Sequence, residues 1–186
     1  MNKGLLIIMS GPSGVGKGTI RNKLFEKNDL NLFYSVSMTT RKPRPGEVDG
    51  SDYYFVTREE FDKNIASGNL LEWAEFVGNR YGTPKDKVEK MREEGKNVLL
   101  EIEVNGTSQV LQKVDDVISI FILPPSLKEL ENRIRGRSTE TEEVIQERLA
   151  KATKELDFQK QYKFKVINDD IDRAVEEVRN IIKDNM

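Results

Sequence analysis

The passage from Leu5-Leu6-Ile7-Ile8-Met9 into Ser10-Gly11-Pro12-Ser13-Gly14-Val15-Gly16-Lys17 constrains this chain more than any other stretch. Consecutive apolar residues leave no polar face. A strand built from them must be covered on both sides, in the middle of a parallel sheet. The segment that follows cannot extend the strand, because a proline and the glycines at 11, 14 and 16 punctuate it. A helix is predicted from about Lys17, with Ile20, Leu24 and Phe25 on one face. Strand, glycine-rich turn and helix N-terminus in that order aim backbone N–H groups and the positive end of a helix dipole at one point, which suits an anion.

The spacing narrows the anion to phosphate. Gly11 to Lys17 fills the first seven places of the pattern G-x-x-x-x-G-K-[ST], in which the backbone cradles phosphates and the Lys reaches the outer ones. Gly18 stands where Ser or Thr is expected, and Thr19 follows. The phosphate site is therefore read as Gly11, Pro12, Ser13, Gly14, Val15, Gly16, Lys17, Gly18 and Thr19, with Thr19 as the candidate for the displaced metal-binding hydroxyl.

Composition limits the chemistry available. The chain has 0 His and 0 Cys, which removes imidazole bases, Ser-His-Asp arrangements, thiolate nucleophiles and the usual zinc sites. Its 30 Lys+Arg against 32 Asp+Glu give a net charge of −2, so nothing draws it globally to nucleic acid or to acidic membranes. No apolar run approaches the ~18–20 residues that span a bilayer, and the stretch from Met1 to Met9 lacks a signal-peptide cleavage site. A cytoplasmic location is expected, with neither nucleic acid nor membrane as a partner.

Further apolar runs at Val98–Ile102, Val117–Leu123 and Phe164–Ile167 alternate with helical patterns. Thr83-Pro84 predicts a helix N-cap and first-turn proline, Ser126/Glu129 and Thr139/Glu142 predict capping boxes, and the last helix carries Ile171, Ala174, Val175, Val178, Ile181 and Ile182 on one face. This alternation predicts an α/β fold, a parallel sheet flanked by helices. One domain over 1–186 is expected, with a core of about 1–33, 81–124 and 157–186. The polar, turn-rich stretch of about 34–80 reads as a small insertion of short antiparallel strands and one helix capped by Thr57 and Glu60. A second insertion, about 125–156, carries Arg133, Arg135, Arg137 and Arg148.

The first insertion holds Ser35-Val36-Ser37-Met38-Thr39-Thr40-Arg41-Lys42-Pro43-Arg44-Pro45-Gly46-Glu47 and then Asp49-Gly50-Ser51-Asp52-Tyr53. Arg41 and Arg44, three apart on a proline-punctuated loop, can grip one phosphate through forked N–H donors, and Tyr53 and Tyr81 can add hydroxyls. Residue types alone leave open two solvated arginines beside two core aromatics. Glu101 lies inside an apolar strand, where a charge needs a cation or donor.

Together with the loop of Gly11 to Thr19, this segment resembles guanylate kinase. The resemblance extends over nearly the whole chain: Glu72-Trp73-Ala74-Glu75-Phe76, Gly78-Asn79-Arg80-Tyr81-Gly82-Thr83, Glu101-Ile102-Glu103-Val104-Asn105-Gly106, Pro124-Pro125-Ser126, Arg137-Ser138-Thr139-Glu140 and Val166-Ile167-Asn168-Asp169. It implies a P-loop NTPase-type sheet with a small mixed GMP-binding insertion and a short helical lid. It implies transfer of the terminal phosphoryl group of ATP to GMP, giving ADP and GDP, with Mg²⁺ as cofactor and dGMP as a further acceptor.

By that resemblance the GMP site comprises Ser37, Arg41, Arg44, Glu47, Tyr53, Glu72, Tyr81, Thr83 and Glu103, with Glu72 and Glu103 accepting from the guanine N–H groups and Ser37 and Thr83 supplying hydroxyls. Lys17, Arg41, Arg133, Arg137 and Arg148 act on the transferring group, Glu101 and Thr19 hold the metal, and Asn168 and Arg137 are candidates for contact with adenine. The chain departs from the family's habits in having Thr at 83 for Ser, Glu at 101 and 103 for Asp, and Ser138 for a glycine. No general base is required, since a phosphate monoester with a second pKa of about 6 is already anionic. Two other readings stay open: a non-catalytic phosphopeptide-binding module of the same family, and a kinase for another small phosphorylated acceptor. The intact Gly16-Lys17 argues against the first, and the set Ser37, Glu72 and Glu103 against the second. Monomer and homodimer are equally compatible with the sequence.

Overall fold

In the computed structural model, which describes residues 2–136 and 139–186, the chain runs β1 (Leu6–Ser10), α1 (Lys17–Glu26), β2 (Leu32–Tyr34), β3 (Met38–Thr39), β4 (Tyr54–Phe55), α2 (Arg58–Ala66), β5 (Leu70–Phe76) and β6 (Asn79–Pro84). It continues through α3 (Lys85–Glu93), β7 (Asn97–Glu101), α4 (Val104–Lys113), β8 (Val117–Leu123), α5 (Leu127–Gly136), α6 (Glu142–Leu156), β9 (Phe164–Ile167) and α7 (Ile171–Asp184). The main sheet is all parallel, in the order β2-β7-β1-β8-β9. The apolar run predicted to be central is central: every side chain of β1 is buried. Ile7 and Met9 face α1 and α7, while Leu6 and Ile8 face the opposite layer with Val88, Val104 and Val110. Each such aliphatic side chain, fully removed from water, contributes about 1.5–3 kcal/mol.

A second, mixed sheet in the order β4-β3-β6-β5 stands beside the first. Its own small core is Met38, Phe61 and Leu70, with Trp73 packed edge-on against Phe61. The hairpin β5–β6 is antiparallel, as expected, but β3 and β4 pair in parallel, because a long loop rather than a tight turn joins them. The helix α2 is capped as predicted: Thr57 accepts from the Glu60 N–H and Glu60 from the Thr57 N–H. Helices α5 and α6 pack on each other through Leu130, Ile134, Ile145 and Ala152.

Several local expectations are corrected. Thr83 does not cap α3: β6 runs on through Pro84, and the Thr83 hydroxyl is used by Glu72 instead. The cap of α6 is Thr141, whose hydroxyl accepts from the Val144 N–H, and not Thr139. Of the Ser126/Glu129 box, the bond from the Glu129 N–H to Ser126 Oγ forms, at 3.0 Å. Strand β2 and helix α4 carry no clear sequence signal. The first is a three-residue edge, and the second opens with Val, Asn, Gly, Thr and Ser, poor helix formers held by burial of Val104 and Val110.

Helix α4 also anchors the second sheet. Gln109 accepts from the Trp73 N–H and donates to the Trp73 carbonyl, both at 3.0 Å, as an added strand would. Lys113 Nζ reaches the carbonyls of Leu70 and Leu71 at 2.9 and 3.2 Å. The Gln109→Ala substitution leaves two half-buried backbone groups of β5 without this partner. It is expected to cost about 1–3 kcal/mol in urea denaturation, with an unchanged m-value.

Candidate active site

The parallel pairing puts Met9 of β1 beside Glu101 of β7, so the loops after both strands emerge side by side at the C-terminal edge of the sheet. Ligands of open α/β sheets bind at such an edge. After β1 the chain turns through Gly14 at φ 84° and Gly16 at φ 102°, a left-handed region that other residues rarely enter. Gly16 is also the N-cap of α1, and a Cβ there would lie 2.6 Å from Asn168 Nδ2. Only glycine fits the backbone and the contact together. Asn168 in turn donates to the Val15 carbonyl at 2.9 Å, tying the loop to the end of β9.

Pro12, Ser13, Gly14, Gly16, Lys17, Gly18 and Thr19 line a cavity of about 470 Å³, closed on its far side by Arg21, Glu101, Glu103, Lys151 and Glu155. Gly11 and Val15 do not line it. The Gly11 carbonyl accepts from Lys17 Nζ, and the Val15 side chain is buried in the core. Burial pushes the Lys17 ammonium below its usual pKa, against the opposing pull of Glu155, Glu101 and Glu103. Glu101 is held by Arg21 at 2.7 Å, and the Arg21 guanidinium lies over the Tyr34 ring.

A second cavity, about 420 Å³, gathers Ser37, Tyr53, Glu72, Tyr81, Glu101 and Glu103 from the predicted set. Glu72 Oε1 accepts from the Thr83 hydroxyl at 2.7 Å. Its other oxygen rests against the first turn of α4, where a Cβ on Gly106 would come within 2.9 Å of it. Burial pushes Glu72 above the usual carboxylate pKa, opposed by the Thr83 hydrogen bond and by Lys113. Arg41 lies over Tyr53 at 5.2 Å and grips Glu47 with both NH groups at 2.8 and 2.9 Å. Glu47 also accepts from the Arg44 N–H at 2.6 Å, and these bonds hold its pKa down at about 2. The Arg44 side chain is exposed and makes no ion pair among the described residues, so the two arginines are not yet converged on one point.

From the helical pair above, Arg148 donates to Ser13 Oγ and Glu140 Oε2, both at 3.0 Å. Arg133 donates to the Asn168 carbonyl at 3.1 Å and pairs with Glu129. It lines a neighbouring cavity of about 380 Å³ with Gly14, Gly16, Thr19 and Asn168. Arg135 pairs with Glu131 and Glu142, away from all three cavities. Arg137 lies outside the described residues.

Two cavities meeting at Glu101, Glu103 and Lys151, one built on a phosphate loop and one on a buried carboxylate–hydroxyl pair, suit two substrates that exchange a phosphoryl group. The comparisons with known proteins decide the family. The guanylate kinase family model matches residues 3–185. This chain belongs to the guanylate kinase family. It is 56% identical over 180 residues to the guanylate kinase of Bacillus anthracis, covering 97% of this chain and 88% of that one. The corresponding figures for the guanylate kinase of Lactococcus lactis subsp. lactis (strain IL1403) are 55% over 181 residues, 97% and 88%. The crystal structure of guanylate kinase from Anaplasma phagocytophilum superposes with a TM-score of 0.73 at 36% identity, covering 98% of this chain and 86% of that chain. Membership at this identity makes the chain a nucleoside monophosphate kinase, with ATP as donor and GMP as acceptor.

Among the residues that line the phosphate-loop cavity without having been expected there, three are charged: Arg21, Lys151 and Glu155. For the last two a signal existed. Arg148, Lys151 and Glu155 recur at helical spacing on one face of α6. For Arg21 there was none, since its partner Glu101 is 80 residues away.

The opposed electrostatics of Glu72 give a stability test. Burial disfavours its charged form, so the ionised carboxylate costs the fold stability above its raised pKa, and that cost fades as pH falls toward the ordinary 4.5. Glu72→Gln retains an acceptor for Thr83 and removes the charge. Its melting temperature is expected to exceed that of the parent at neutral pH, with the difference shrinking on acidification in scanning calorimetry.

Proposed function

We propose that the two cavities divide the ATP:GMP phosphotransfer between them, one holding each substrate, so that ADP and GDP form at their junction. The observation that carries this reading is the meeting, at Glu101 and Glu103, of the phosphate-loop cavity with the cavity lined by Glu72, whose carboxylate Thr83 holds from behind. The phosphate loop and Lys17 take the ATP phosphates. Ser37, Glu72, Thr83 and Glu103 read guanine, whose N1–H and amine need acceptors and whose O6 needs a donor. Arg41, Arg44, Tyr53 and Tyr81 hold the GMP phosphate, with Glu47 orienting Arg41 until the phosphate takes its place. Arg133, Arg137 and Arg148 cover the transferring group. Because dGMP presents the same base and phosphate, it is accepted as well. The non-catalytic reading is not favoured: relatives 51–56% identical are guanylate kinases, and the phosphate-loop Lys is in place.

The donor set fits a hard cation. Glu101 and Thr19 both offer oxygen to the phosphate-loop cavity, and no cluster of three or more metal-ligating side chains exists among the described residues. Such a site suits Mg²⁺, which takes most of its oxygens from phosphates and water. When bound, Mg²⁺ supplies charge neutralisation on the ATP phosphates. The chain's own residues then do the positioning: Arg21 keeps Glu101 turned toward the cavity, the loop N–H groups orient the donor, and the second sheet presents the acceptor in line. Lys17 needs no proton transfer.

Offered Mg-ATP with GMP, AMP, IMP, CMP or UMP in turn, the chain is expected to release ADP rapidly with GMP alone. A base without the exocyclic amine leaves buried acceptors unpaired and is rejected by about 10⁴-fold or more in kcat/KM. Lys17→Met is expected to lower kcat by about 10²–10³-fold. Turnover with another monophosphate would refute the guanine-reading set, and no turnover with any would refute the phosphotransferase.

A further inference from the structure

Three residues line both the phosphate-loop cavity and the acceptor cavity: Glu101, Glu103 and Lys151. Lys151 is the only cation of the three. It projects from α6 between Arg148, one turn before it, and Glu155, one turn after. Each of these side chains addresses a different wall. Arg148 bonds Ser13 of the phosphate loop, Lys151 Nζ lies 3.3 Å from Glu103 Oε1, and Glu155 is buried where its charge acts on Lys17. The Lys151–Glu103 pair is weak by construction, since the two side chains are 58% and 71% exposed and share one long contact.

We propose that Lys151 is a further catalytic residue, an ammonium that leaves Glu103 to contact the phosphoryl group as it passes between the two cavities. This rests on the phosphotransferase reading above. In the transfer, the bond from the γ-phosphorus to the ADP leaving oxygen breaks as a GMP phosphate oxygen bonds the same phosphorus. Lys151 exchanges no proton and only offsets charge on the three equatorial oxygens. Its present partner makes the contact conditional. Guanine engaging the Glu103 carboxylate takes this weak partner away and frees the ammonium. Glu101, Glu155 and Lys17 face the same space.

The test is steady-state kinetics of Lys151→Met and Lys151→Arg beside the parent, with calorimetric binding of GMP alone and a thermal melt. The Met variant is expected to melt with the parent, to bind GMP within about threefold, and to lose kcat by about 10–100-fold. The Arg variant restores most of kcat, because it returns a cation to the same helical face. An unchanged kcat in Lys151→Met overturns the proposal. So does a loss confined to the KM and affinity for GMP, which would make Lys151 a mere tether for Glu103. A parent chain without GMP-dependent turnover overturns the underlying reading as well, and shows itself before any substitution is made.

Discussion

Strand β1 is buried on both faces, and the functional geometry follows from where that strand stops. A parallel sheet leaves its ligand-accepting edge at the C-terminal ends of its strands, and the most buried strand delivers the chain to the middle of that edge. The left-handed turns at Gly14 and Gly16 then start α1 with its N-terminal N–H groups aimed back over the sheet. Because β7 runs beside β1 in register, Glu101 is presented next to the same loop. The phosphate site and its neighbouring carboxylate are thus consequences of one packing arrangement.

The second cavity has a different origin. It is held by polar contacts to backbone, chiefly Gln109 and Lys113 of α4 on the edge of β5. These set Glu72 against the helix turn where Gly106 leaves room for its carboxylate. The main sheet positions the glycine loop after β1, and one helix of its flanking layer positions the Glu72 carboxylate.

Five cations in and around the two cavities meet carboxylates or carbonyls. Lys17 meets the Gly11 carbonyl, Arg21 meets Glu101, Arg41 meets Glu47, Arg148 meets Glu140, and Lys151 meets Glu103. These pairings keep the cations oriented and partly neutralised. A chain with no His can run this chemistry because it rests on positioned charge and needs no proton relay.

Much of this was legible in the order of residues. The run Leu5–Met9, the glycines before Lys17 and the helix behind them dictate a buried strand feeding a phosphate loop, because local sterics and burial act through neighbours in the chain. The Thr57–Glu60 cap and the amphipathic last helix are likewise local, and both formed as expected. What the sequence could not determine alone lies in contacts between distant segments. Thr83 looked like a helix cap until β5 placed Glu72 within reach of its hydroxyl. Arg21 meets Glu101 only because β7 lies beside β1, and Lys151 reaches the junction of the cavities only because α6 packs over it. Spacing along the chain reports only the neighbours that backbone geometry enforces. Which carboxylate faces which cation was decided when the sheet order and helix packing brought those segments together.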